Sequence, residues 1–179
     1  AKASKGVVLG LFTSHRSLQA VREGIRPRLK LENIQVLGQG VDGGPMQILD
    51  AAAENPNTLL LGTSSLWEGI DMPKGLLKSI VIARLHFPVP NDPLFAARSE
   101  QYDDPFNQYA VPQAVLRFRQ GFGRLIRRGT DRGVAVVLDG RTTTRNYGKK
   151  FLSSIPSCSS RDVSVRSLSD EIENWFKSS

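Results

Sequence analysis

Five short segments of this chain are apolar at nearly every position: Gly6 to Phe12, Ile34 to Leu37, Thr58 to Leu61, Ser79 to Ala83 and Val134 to Leu138. A strand with one wet face alternates apolar and polar residues. A strand that does not alternate is covered on both sides. Between these segments the apolar residues recur at helical spacing. Ser17 to Leu31 carries Leu18, Val21, Ile25 and Leu29 three and four positions apart, with Ser14 placed to cap the helix. Pro27 is expected to end or kink it. Met46 to Ala53 reads as a short helix. A long helix is expected from about Gln113 to Arg128, with Pro112 in its first turn. A last helix is expected over Asp170 to Lys177, capped by Ser169. Buried strands alternating with helices define an α/β fold, a parallel sheet with helices on both faces. Ligands in such folds bind beyond the carboxyl ends of the strands. That directs attention to the loops 13–15, 62–75 and 139–141. Residues 153–167 are rich in serine and read as loop with one candidate edge strand.

The chain of 179 residues is one domain's worth. Its 16 Gly and 10 Pro are scattered, which excludes collagen and low-complexity classes. Cys158 is the single cysteine, so neither a disulfide framework nor a cysteine metal cluster is available, and no metal ligands are assigned. A reducing, cytoplasmic setting fits that usage. No segment approaches the roughly 18 apolar residues of a membrane span, and no charged-then-apolar leader occurs. The first residue is Ala rather than Met, which leads to the expectation of a piece cut from a longer protein. The net charge of +7 suits an anionic partner and equally a basic enzyme without one.

Residues 113–132 hold Arg117, Arg119, Arg124, Arg127, Arg128 and Arg132 against one acid, Asp131. At 3.6 residues per turn, Val115, Phe118, Phe122, Leu125 and Ile126 fall on one side. Gln120, Arg124 and Arg127 fall together on the other. Gly121 and Gly123 each cost about 1 kcal/mol relative to Ala in mid-helix. Two of them point to close approach of something to the backbone. The bland reading is a solvated basic face.

The pattern Gln-x-x-Gly-Arg-x-x-Arg (Gln120, Gly123, Arg124, Arg127) resembles the last motif of the nucleic-acid helicases. The resemblance implies that these arginines reach across a cleft to the terminal phosphate of ATP bound on a partner domain. The residue type suits that role, because a guanidinium stays charged and donates in a planar fork to the oxygens of a phosphoryl group in flight. Residues 62–75, GTSSLWEGIDMPKG, resemble the preceding motif in the form seen in the DinG/XPD (Rad3-like) family. By that resemblance Thr63 and Ser64 contact the nucleic-acid backbone, and Glu68, Gly69 and Asp71 face nucleotide. Residues 9–16, LGLFTSHR, are similar to the first motif of this half-motor, with Thr13 and Ser14 as nucleic-acid contacts. Ser14 serves equally as a plain helix cap. RLHFPVPNDPLFAAR (84–98) is similar to the segment that follows in bacterial DinG-like proteins, with His86 where Pro is usual. Leu138-Asp139-Gly140-Arg141 resembles the family's tail. The matches run in family order from about residue 6 to residue 156.

The resemblance implies a RecA-like domain over residues 1–179, with 153–179 as loop and terminal helix. No Gly-x-x-x-x-Gly-Lys-Ser/Thr and no Asp-Glu-x-His box occurs. In the family those lie on a first RecA-like domain, as does the iron–sulfur cluster where there is one. The implied reading is the second motor domain of an ATP-dependent DNA helicase, with ATP and Mg²⁺ held mainly by the first. Its implied partners are that first domain and single-stranded DNA, with no membrane. Travel would be 5′ to 3′, in DNA repair or replication, and the chain alone would not hydrolyse ATP. Two rivals remain. One is a non-catalytic nucleic-acid-binding module of RecA-like fold. The other is a metal-dependent phosphodiesterase using Asp71 and Asp139.

Overall fold

The computed structural model describes residues 1–63, 66, 75–126 and 131–178. Five parallel strands form one sheet: β1 (Val7–Leu11), β2 (Gln35–Gly38), β3 (Thr58–Gly62), β4 (Leu77–Ile82) and β5 (Val134–Val137). Their spatial order is β2-β3-β1-β4-β5. All of the pairings are parallel, with Leu9 opposite Leu60 on one side and Ile80 on the other. The fold is therefore the α/β class that the continuous apolar segments imply.

The helices are α1 (His15–Leu31), α2 (Pro45–Glu54), α3 (Pro93–Ser99), α4 (Val111–Leu125), α5 (Arg141–Thr144), α6 (Gly148–Leu152) and α7 (Leu168–Lys177). A π-helical turn, Phe106–Ala110, leads into α4. Alternate side chains of each strand enter opposite layers. Val7, Leu9 and Leu11 of β1 meet Ile48, Leu49 and Ala52 of α2, Ala114, Phe118 and Leu125 of α4, and Phe151 of α6. On the other face Leu18 of α1 packs with Phe12, Val36 and Leu61. A fully buried Leu, Ile or Phe contributes roughly 1.5–3 kcal/mol, so both layers hold the sheet.

Four sequence expectations change. Helix α1 runs through Pro27 to Leu31, because Pro27 is on the exposed side and the flanking turns keep the helix continuous. Its buried residues are Leu18 and Arg22, while Val21 is exposed. Arg22 is paired bidentately with Asp42, with Nε donating to Oδ2 at 2.7 Å. Gly38 makes room for it, since a Cβ there would sit 2.8 Å from the Arg22 Cδ. Helix α7 starts at Leu168 after Ser167, so Ser169 lies inside it and is not the cap. Residues 153–167 form no strand. The long basic helix begins at Val111 and ends at Leu125, where Ile126 turns extended.

Candidate functional site

The strand ends and helix α4 place the candidate residues on two separate parts of the domain. At the carboxyl edge, Thr13 is exposed just after β1. Ser14 caps α1, its Oγ accepting from the Ser17 amide at 3.2 Å. Thr63 follows β3 and is only 6% exposed. Its amide donates to Gln39 Oε1 at 3.0 Å, and its Oγ1 is 3.3 Å from His15 Nε2. The structure thus brings Thr13, Ser14 and Thr63 onto adjacent strand ends but engages the Thr63 hydroxyl inside the domain. Ser64, Glu68, Gly69 and Asp71 lie outside the described residues.

His15 and Gln39 join this edge without having been singled out from the sequence. Gln39 heads the turn after β2, where Gly40 at φ +76° and Gly43 at φ +147° fold the chain back. Such backbone angles favour glycine. The glycine-rich run GQGVDGG was the available signal for a tight turn carrying a polar side chain.

The second region is the outer face of α4. Phe118, Phe122 and Leu125 are buried, as their spacing requires, and Val115 and Ile126 pack against the core. Gln120 and Gly123 are exposed and Arg124 is partly exposed. Arg127 lies outside the described residues. The Leu125 side chain fills the space beside Gly133, against the Lys78 carbonyl. Those residues start β5 and β4, so Arg124 lies at the amino end of the strands. Thr13 and Thr63 lie at the opposite end, roughly 17 Å away along a strand of this length.

Space beside Gly123 is open, and a Cβ there would meet nothing within 4 Å. The domain's own packing does not require glycine at this point. Gly123→Ala is therefore expected to raise the chain's thermal midpoint by about 2–4 °C, from about 1 kcal/mol of helix propensity. A scanning-calorimetry midpoint that falls would show that the backbone there is tightly packed.

Asp139, after β5, is 9% exposed. Its carboxylate accepts from the Leu85 amide at 2.8 Å, the Arg141 amide at 3.0 Å and Arg141 Nη2 at 2.6 Å. Burial pushes its pKa up. The Arg141 hydrogen bonds, the two amides and the Arg141 charge outweigh that and bring it down to about 2. A lowered folded-state pKa adds stability that is complete above the ordinary carboxylate range. It is lost as pH falls from about 4 to about 2. The contribution is at most roughly 2 kcal/mol, because the Arg141 side chain is 38% exposed and solvent screens it. Asp139→Asn should destabilise the chain at pH 7 by up to that amount. Urea titrations should show the difference vanishing near pH 2, and a pH-independent difference would remove the ionic explanation.

A parallel sheet of this order, with Gln-x-x-Gly-Arg on the outer face of the helix feeding the last strand, agrees with the helicase resemblance. The helicase C-terminal domain family matches residues 1–158, and the chain belongs to that family. Its relatives include DinG and YoaA proteins. The chain is 38% identical over 173 residues to a Bacillus subtilis protein named 3′-5′ exonuclease DinG, covering 94% of this chain and 19% of that protein. It is 40% identical over 159 residues to the ATP-dependent DNA helicase YoaA of Escherichia coli, covering 87% and 24%. It is 40% identical over 158 residues to the ATP-dependent helicase DinG of Mycobacterium tuberculosis, covering 86% and 23%. The chain thus spans about a fifth to a quarter of these relatives. Among solved structures, S. tokodaii Xpd4 superposes with a TM-score of 0.59 at 20% identity, covering 87% of this chain and 30% of that one. Domain 2 of the DEAD-box helicase Mss116p, solved on an RNA duplex, gives 0.54 at 10% identity, covering 96% and 58%. Both likenesses concern the fold. No helix among the described residues is long and apolar enough to cross a membrane.

Proposed function

We propose that this chain is the second motor lobe of an ATP-dependent DNA helicase. In this reading residues 1–179 form one RecA-like domain, with 153–179 as loop and terminal helix. The observation that carries the reading is the outer face of α4: Gln120, Gly123 and Arg124 point away from their own sheet, with open space beside Gly123. That arrangement suits a triphosphate gripped by a neighbouring lobe, and the resemblance adds Arg127, Glu68, Gly69 and Asp71 to the same pocket.

Mechanistically, this chain's part is electrostatic. The guanidinium groups of Arg124 and Arg127 stabilise charge on the equatorial oxygens of the phosphoryl group as the cleft closes. Gln120, one turn before Arg124, orients polar groups on the same face. ATP and Mg²⁺ are held mainly by the first lobe, and any iron–sulfur cluster belongs there too. At the carboxyl edge Thr13, Ser14 and Ser64 hold the backbone of single-stranded DNA, and Thr63, its hydroxyl engaged by His15 and Gln39, supports that edge from within. The two regions lie at opposite ends of the strands, so closure at one end can reposition the strand held at the other. The proposal places the protein in the cytoplasm, in DNA repair or replication, with 5′ to 3′ travel by family likeness.

The phosphodiesterase reading loses one of its two carboxylates, since Asp139 is occupied by Arg141. The non-catalytic module shares the carboxyl edge and differs only at α4.

Backbone holding makes binding depend on salt. The hydroxyl contacts carry no charge, so the salt dependence comes from basic side chains beside them, and three phosphates of a single strand neutralised by Lys or Arg should cost roughly twentyfold in affinity between 50 and 200 mM salt. Fluorescence anisotropy with a labelled oligothymidylate measures this. Binding that ignores ionic strength would contradict phosphate contacts at this edge.

A further inference from the structure

The strands β3, β1, β4 and β5 end level with one another. The Phe12 amide donates to the Gly62 carbonyl at 2.9 Å, the Ala83 amide to that of Leu11 at 3.1 Å, and the Leu138 amide to that of Ile82 at 2.9 Å. Thr13, Arg84 and Asp139, each two residues past a paired strand end, therefore rise from the neighbouring strands β1, β4 and β5 in one row at about 4.8 Å intervals, with Thr63 of β3 one residue lower, level with Phe12. Between the last two strands the edge opens into a cleft of about 470 Å³, lined by Ala83, Arg84, Leu138, Asp139, Gly140 and Arg141.

The charge in this cleft is unevenly compensated. Asp139 and Arg141 neutralise each other. Arg84 is exposed and has no hydrogen-bond or ion-pair partner among the described residues. Arg141 is held rigidly, with Nη2 also donating to the Leu85 carbonyl at 3.3 Å and its guanidinium 5.1 Å from the Phe87 ring centre. Leu138 is 52% exposed and gives the cleft an apolar wall. Beside Gly140 the space is open, with nothing within 4 Å of a Cβ built there. One unpaired guanidinium, an apolar wall and an open floor suit a phosphodiester whose sugar lies against Leu138.

We propose that this cleft is a phosphate subsite for a single nucleic-acid strand, with Arg84 as its contact residue. It extends the carboxyl edge from Thr13 of β1 across β4 and β5. The inference rests on the proposed reading of the carboxyl edge. A strand phosphate is favoured over a nucleotide triphosphate because the α4 arginines lie at the other end of the sheet.

The test compares oligothymidylate binding by the 179-residue chain and its variants across a salt series. Arg84→Gln should weaken binding about tenfold at low salt and reduce the log–log salt slope by about 0.7, the value for one phosphate of a single strand. Its thermal midpoint should match wild type, because the side chain is exposed. Arg28→Gln, an exposed arginine in the last turn of α1, should change neither affinity nor slope. Thr13→Ala reports on the carboxyl edge by itself. Wild-type slope and affinity in Arg84→Gln, beside weakened binding in Thr13→Ala, would overturn the subsite and leave the edge reading standing. Loss of tripolyphosphate binding in Arg84→Gln with oligonucleotide binding intact would assign the cleft to nucleotide and overturn the proposal. Salt-independent binding by the wild-type chain would overturn both readings.

Discussion

Replacing Arg124 and Arg127 together by Ala in the full-length parent should cut ATP turnover by at least about 10³-fold while ATP affinity changes only a few-fold. The asymmetry follows from where the charge appears. A triphosphate in its ground state is held mainly by the lobe that carries its cradle, whereas the arginines meet charge that develops on the phosphoryl oxygens in the transition state. Lys at Arg124 should recover little, because an ammonium supplies a point charge and not a planar pair of donors. The helix carrying Arg124 is fixed from below by Phe118, Phe122 and Leu125, so loss of these arginine side chains should leave the fold intact. Steady-state kcat and the dissociation constant of a fluorescent ATP analogue separate the two effects. Normal turnover would place this face in solvent and favour the non-catalytic module.

Phe151→Ala should cost about 3–5 kcal/mol of folding stability. Phe151 is fully buried on α6, a helix that follows the last strand. Its ring meets Phe118 of α4 edge-on at 5.5 Å, Phe87 at 6.0 Å and Tyr147 at 6.3 Å. Truncation leaves a cavity bounded by three aromatic rings that cannot all move inward. The first residue of α6 is equally tight: a Cβ on Gly148 would run into the Thr142 carbonyl. Phe151→Leu should lose less than half as much, since it keeps most of the volume. Urea unfolding followed by tryptophan fluorescence measures both variants. A loss below 1 kcal/mol for the Ala variant would mean that the tail after β5 is an appendage to the core.

The strands were legible because burial on both faces erases alternation, and no other element produces five such short runs in one chain. Their ends were less so: β4 begins at Leu77 where the apolar pattern starts at Ser79, because Leu77 and Lys78 complete the ladder beside Val7. The buried side of α1 was misjudged for a different reason. Periodicity ranks Val21 above Arg22, but the partner of Arg22 is Asp42, twenty residues on, and no local pattern announces a long-range ion pair. The outward face of α4 was readable from its period. Its position at the amino end of the strands follows from a rule available in advance, that a helix feeding a parallel strand runs antiparallel to it. The burial of Thr63 was not readable, because it depends on Gln39 and His15 arriving from two other strand ends.

The central claim is that this lobe supplies charge to a triphosphate held elsewhere. ATP turnover by the isolated 179-residue chain, measured beside the full-length parent in the same single-strand-stimulated assay, addresses it most directly. The account predicts turnover by the parent and none above background from the chain alone. Hydrolysis by the purified chain at a rate near the parent's, abolished by Arg127→Ala, would show a complete active site within these residues and contradict the account.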